Sequence, residues 1–124
     1  MSFWNIEPTE KFSRKYKLFE KKHEDELIAM WNNLDTYLKT LQKTDNPLVV
    51  TGGYIHPEKK GIVAIDQKKA DRKLKEVRLY IYPDKKTKKL FLLTIGDKNS
   101  QKDDIKYSMD CVNLIQGGSN EEEI

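Results

Sequence analysis

The sequence predicts an α+β domain: an N-terminal strand, a two-helix hairpin, an antiparallel three-strand meander packed on the helices, and a short C-terminal helix. Three observations predict it. From Glu10 to Gln42 there is neither Gly nor Pro, and apolar residues recur at steps of three and four. From Gly61 to Ile95 the apolar residues fall into three short runs, the middle one alternating with period two. Helical and extended signals are also segregated along the chain, which is the α+β pattern. With 124 residues, one domain over 1–116 is expected, followed by a disordered acidic tail over 117–124.

Each element follows from local chemistry. Ser2 to Glu7 alternates as a short strand that Pro8 stops. Thr9 then stands as an N-cap with Glu10 in the first helical turn. The stripe Phe12, Tyr16, Phe19 resumes at Leu27, Met30, Trp31, Leu34, Leu38 and Leu41, and the polar patch Glu20–Asp25 breaks it into two helices, one bent helix being the alternative. His23, Glu24 and Asp25 open the second helix, with acids at the positive end of its dipole. Lys43–Gly61 holds the turn signals Asn46-Pro47, Gly52-Gly53 and His56-Pro57, with short extended pieces at Leu48–Val50 and Tyr54-Ile55. The meander strands are Gly61–Asp66, Glu76–Tyr82 and Lys89–Ile95, the last two joined by a short hairpin connection through Pro83-Asp84 and Thr87. Ile105, Met109, Val112 and Leu114 mark a closing helix over Gln101–Leu114.

Composition narrows the function classes. One cysteine, Cys111, excludes an intramolecular disulfide; it reads as a small buried hydrophobe, and no Cys/His cluster has zinc spacing. His23 and His56 have no second ligand at metal spacing, so neither a metal nor a cofactor is expected. No apolar run is long enough to span a bilayer, and no signal-like segment opens the chain; a cytoplasmic protein without membrane contact is expected. The net charge of +3 is unevenly spread. Between His56 and Lys89 stand twelve Lys and Arg against five Asp and Glu, a local net of +7, which points to a polyanionic partner.

The chemistry-bearing residues are therefore cationic. Lys68, Lys69, Arg72, Lys73 and Lys75 fill the connection between the first two meander strands, where a solvated loop is the plain alternative. Arg78 projects from the middle strand on the face opposite Val77 and Leu79; it can hold a phosphate in bidentate fashion or pair with an acid. Tyr80 and Tyr82 share its face and could stack on bases or pack beneath the helix hairpin. Lys98 and Gln101 stand just past the end of the third strand, where a rigid sheet aims loop residues.

These residues resemble the RelE/ParE superfamily of bacterial toxins from type II toxin–antitoxin modules, over roughly Phe3 to Leu114. The resemblance lies in Glu7-Pro-Thr-Glu-Lys-Phe12 leading into a helical hairpin, in Val77-Arg-Leu-Tyr-Ile-Tyr82, in Leu92-Leu-Thr-Ile-Gly-Asp-Lys98, and in Gln101-Lys-Asp-Asp-Ile105 opening the last helix, a pattern closest to the RelE and HigB side. It implies a ribosome-dependent mRNA endoribonuclease that cleaves without metal, by attack of the ribose 2′-OH on the adjacent phosphate. Carried over by position, Arg78 and Lys98 match the basic residues around the scissile phosphate, with Lys68, Lys69 and Lys73 as looser matches. Asp104, Tyr107 or a lysine would serve as general base. Arg72, Lys73, Lys75, Tyr80 and Gln101 would contact RNA. The implied partners are a cognate antitoxin, mRNA and the ribosome. Two competing readings are a non-nucleolytic gyrase-poison-like toxin of the ParE branch and a non-toxic partner-binding domain of the same fold.

Overall fold

Thr9 turns the chain from strand into helix. In the computed structural model, which describes residues 3–67 and 75–117, its hydroxyl accepts from the Phe12 backbone N–H at 3.0 Å and donates to the Leu93 carbonyl at 2.7 Å. The N-cap of α1 (Glu10–Lys22) is thereby tied to the sheet. Just before it, β1 (Asn5–Pro8) runs parallel to β5 (Lys89–Asp97). At His23 the backbone leaves helical geometry, with φ −136° and ψ 45°. α2 (Glu24–Thr44) then starts with Glu24, Asp25 and Glu26 in its first turn, so a hairpin forms and not one bent helix. Asp45 ends α2 in the left-handed region at φ 56°, its N–H bonded to the Leu41 carbonyl.

The connection after α2 differs in detail from expectation. Pro47–Val49 is a 3-10 turn and not an extended piece, because the Asn46 side chain accepts from the Leu48 N–H and Pro47 already holds a turn-compatible φ. Ile55–Pro57 does extend, as β2, and adds a fourth strand to the meander. β2, β3 (Val63–Ile65), β4 (Val77–Asp84) and β5 pair antiparallel in sequence, giving the order β1-β5-β4-β3-β2. A bulge leaves Leu93 unpaired with β4, since Tyr80 faces Thr94 and Ile81 faces Leu92.

Strand alternation then decides which helix covers which face. Val77, Leu79 and Ile81 join Leu27, Met30, Leu34, Tyr37 and Leu41 in the core beneath the α1–α2 hairpin. Ala64, Tyr80, Phe91 and Leu93 lie on the opposite face, where Cys111, Val112 and Ile115 of α3 (Gln101–Gly117) pack over them. α3 continues three residues past Leu114 to Gly117. Tyr80 and Tyr82 thus pack toward α3 and not beneath the hairpin, and Arg78 shares that face.

Candidate functional site

β4 carries Arg78 out from the sheet on the α3 side, with its side chain 19% exposed. Two carboxylates face the guanidinium: Glu58 Oε2 at 4.0 Å from Nη1 and Glu76 Oε2 at 3.6 Å from Nε. Neither distance to these ion-pair partners is a hydrogen bond. The Arg78 Nε is buried and makes no hydrogen bond among the described residues. Glu76 is positioned by Gln101, whose Nε2 donates to it at 2.8 Å from the first residue of α3.

Gly96 faces Arg78 across the β4–β5 ladder. A Cβ there would collide with Asp104 Oδ2 and Ser100 Oγ, so the glycine lets α3 approach the strand. Asp104 is 3% exposed and both its oxygens are engaged: Oδ1 accepts from Lys15 Nζ at 2.9 Å and Oδ2 from Ser100 Oγ at 2.7 Å. Lys15 thus reaches from α1 to pin the start of α3. An acid so occupied serves as an anchor more readily than as a proton acceptor.

Lys98 is exposed in the 3-10 turn Lys98–Ser100, which Asp97 caps by accepting from the Asn99 and Ser100 N–H groups at 2.9 and 3.2 Å. Together with Lys75 it lines a cleft of about 510 Å³ that also includes Lys22, His23, Glu76 and Asp97. Lys22 and His23, at the hairpin junction, were missed by the sequence reading; only the tertiary fold brings that junction to the strand ends. Glu26 fixes the floor, accepting from the Lys75 backbone N–H at 2.9 Å, while Gln67 bonds the Lys75 carbonyl and accepts from the Val77 N–H at 3.0 Å. Lys68, Lys69, Arg72 and Lys73 lie outside the described residues.

The aromatic candidates are placed less favourably. Tyr80 has no exposed surface, so its ring cannot stack on a base; this corrects its assignment as an RNA contact, and the reason is the α3 cover. Its hydroxyl is pushed well above the usual tyrosine range by burial and then by Asp104. Tyr107 is half-buried, with Lys11 Nζ 4.2 Å from its ring centroid. Burial, then a hydrogen bond with Cys111, pushes its hydroxyl up to about 12, which disfavours the phenolate that a base at neutral pH would require. Burial likewise pushes the Cys111 thiol up, as expected of a packed side chain and not a nucleophile.

A further pair also escaped the sequence reading. His56 on β2 stands with Nε2 2.6 Å from Asp66 Oδ2. The Asp66 side chain is 2% exposed and that of His56 24%. Ten residues separate them, and the β2–β3 register brings them together. The available signal was Ile55-His56, an apolar residue followed by a polar one, on a strand facing Ala64-Ile65.

Among the described residues, no group of three or more His, Cys, Asp or Glu stands where it could hold a metal ion. No helix among them is long and apolar enough to cross a membrane. No family model matches the chain, and no curated protein matches it significantly. Among solved structures there is a likeness. The chain is similar to YafQ from E. coli strain BL21(DE3). Identity is 25%, the match covers 80% of this chain and 98% of YafQ, and the TM-score is 0.49.

Proposed function

We propose that this chain is the toxin of a type II toxin–antitoxin module, a RelE-like ribosome-dependent mRNA endoribonuclease acting in the cytoplasm with a cognate antitoxin as its partner. The observation that carries this reading is Arg78: a partly exposed guanidinium on a sheet face, whose two facing carboxylates, Glu58 and Glu76, both stand beyond hydrogen-bond distance. A phosphate oxygen can reach the guanidinium only through the exposed part of the side chain, where it would compete with those two carboxylates. Lys75 and Lys98 add cations at the same end of β4 and β5, along the path a polyanion would take. Lys68, Lys69, Arg72 and Lys73 belong to the same proposal as further RNA contacts. In the reaction the ribose 2′-oxygen bonds to the adjacent phosphorus as the bond to the 5′-oxygen breaks, leaving a 2′,3′-cyclic phosphate and a 5′-hydroxyl. Fixed cations favour the charge that develops on the phosphoryl oxygens.

A second reading has its own support. Glu58 and Glu76 already face Arg78, so the face could be neutralised internally and serve only to bind a protein partner. Expression in bacteria separates the two. The endoribonuclease reading expects amino-acid incorporation to stop before DNA synthesis, with mRNA cut inside coding regions. Unchanged growth at a high soluble level would support the partner-binding reading, and an earlier arrest of DNA synthesis would support a gyrase-poison-like action.

A further inference from the structure

The ribonuclease reading leaves the acceptor of the 2′-OH proton unassigned, and the placement of Asp104 and Tyr107 makes both poor candidates. We infer that His56, held by the buried Asp66, is the general base, standing beside the guanidinium of Arg78 on the α3 face of the sheet; this rests on the reading of the chain as an endoribonuclease. His56 pairs with Ala64, and Ala64 pairs with Tyr80, so these three residues form one row across β2, β3 and β4. Paired residues of antiparallel strands share a face. Two residues along, Asp66, Arg78 and Glu58 share it too. Arg78 lies on one side of that row and Glu58, which follows Pro57 of β2, on the other. The 4.0 Å approach of Arg78 Nη1 to Glu58 Oε2 therefore takes the Arg78 side chain over Ala64. The small side chain of Ala64 leaves room for that crossing, and its neighbour in the row on the β2 side is His56.

The dyad has the chemistry the step requires. A carboxylate accepts, so Nε2 carries the hydrogen in the 2.6 Å contact and Nδ1 keeps the lone pair. Asn33 on α2 donates to the Asp66 backbone carbonyl at 2.7 Å, fixing the end of β3 from the helix side. Among the described residues, Asp66, which follows β3, is the charged group in contact with His56, and by register Arg78 of β4 and Glu58 at the end of its own strand share its face. Nδ1 takes the 2′-OH proton as the new O–P bond forms, and the 5′-oxygen leaves with a proton from water. Asp66 acts through His56 and is a positioning residue.

The test uses the full chain on purified ribosomes programmed with a short mRNA, following cleavage by primer extension. His56→Ala should lower the cleavage rate per folded molecule by about 10²-fold or more, the usual scale of general-base catalysis, while ribosome binding stays close to the parent; the thermal midpoint should fall, because the buried Asp66 carboxylate loses a partner. Added imidazole should restore part of the rate to His56→Ala and none to Arg78→Ala. If the alanine variant does not fold, His56→Gln replaces it, since the amide can still contact Asp66 but cannot accept the proton. A variant that cleaves as fast as the parent, or a loss that imidazole leaves untouched, overturns the assignment. Absence of cleavage by the parent chain overturns the ribonuclease reading itself, a result distinguishable from either of these.

Discussion

On the hairpin side of β4, Val77, Leu79 and Ile81 meet Leu27, Met30 and Leu34, and every one of these contacts is apolar. One residue along, on the α3 side, Arg78 lies between two acids and Tyr80 lies opposite Thr94. The buried side-chain polar atoms that make no hydrogen bond among the described residues divide in the same way. Arg78 Nε, Tyr80 OH, Thr94 Oγ1 and Ser108 Oγ belong to the α3 side, and Tyr37 OH to the hairpin side. Such groups are rare in native structures and each costs free energy. The hairpin face is thus apolar throughout these contacts, while the α3 face joins an apolar cluster around Phe91, Leu93, Val112 and Ile115 to polar groups that cost stability.

The comparison can be broken most forcefully from the hairpin side. Leu79→Ala, at a position with no exposed surface, should cost about 2–5 kcal/mol in a denaturant titration. A cost below that of an ordinary surface change would mean that the hairpin does not carry the core. On the other face, Lys15→Met should cost about 1–3 kcal/mol, because it leaves the buried Asp104 carboxylate without its cation. Hydrogen exchange should show that loss concentrated in α3. Thr9→Val removes the N-cap acceptor at the meeting point of the two halves and should cost about 1 kcal/mol, also read from denaturant unfolding.

Alkaline pH sharpens the same contrast. The Tyr107 hydroxyl is raised from 10.0 to about 12 by burial and by Cys111. Below pH 10 both states keep the proton; between 10 and 12 the unfolded chain loses it first, so stability falls as pH rises. Tyr107→Phe should reduce that slope, measured as the thermal midpoint across the interval.

Local chemistry made much of the fold legible and less of the site. Thr9 as a cap, the break at His23 and the alternation of β4 were readable because each depends on neighbours a few residues away. The 3-10 turn at Pro47–Val49 was not, since Leu48 and Val49 look like strand until the Asn46 cap is seen. The side of the sheet taken by α3 is set by packing between elements far apart in the chain, and this is why Tyr80 looked available to RNA and is buried instead. Arg78 was readable from period two, but Glu58 and Glu76 as its partners, and the His56–Asp66 pair, depend on strand register that composition does not carry.

The most direct measurement compares adjacent residues on opposite faces, using ribosome-programmed mRNA cleavage and denaturant unfolding on the same preparations. Arg78→Ala should lower the cleavage rate by about 10²–10³-fold, the scale of losing one fixed donor to a phosphoryl transition state, with unfolding free energy close to that of the parent. Leu79→Ala should show the reverse, a large loss of stability with near-parent cleavage per folded molecule. Arg78→Ala cutting mRNA at the parent rate, or losing as much stability as Leu79→Ala, would contradict the assignment of the α3 face to phosphate chemistry.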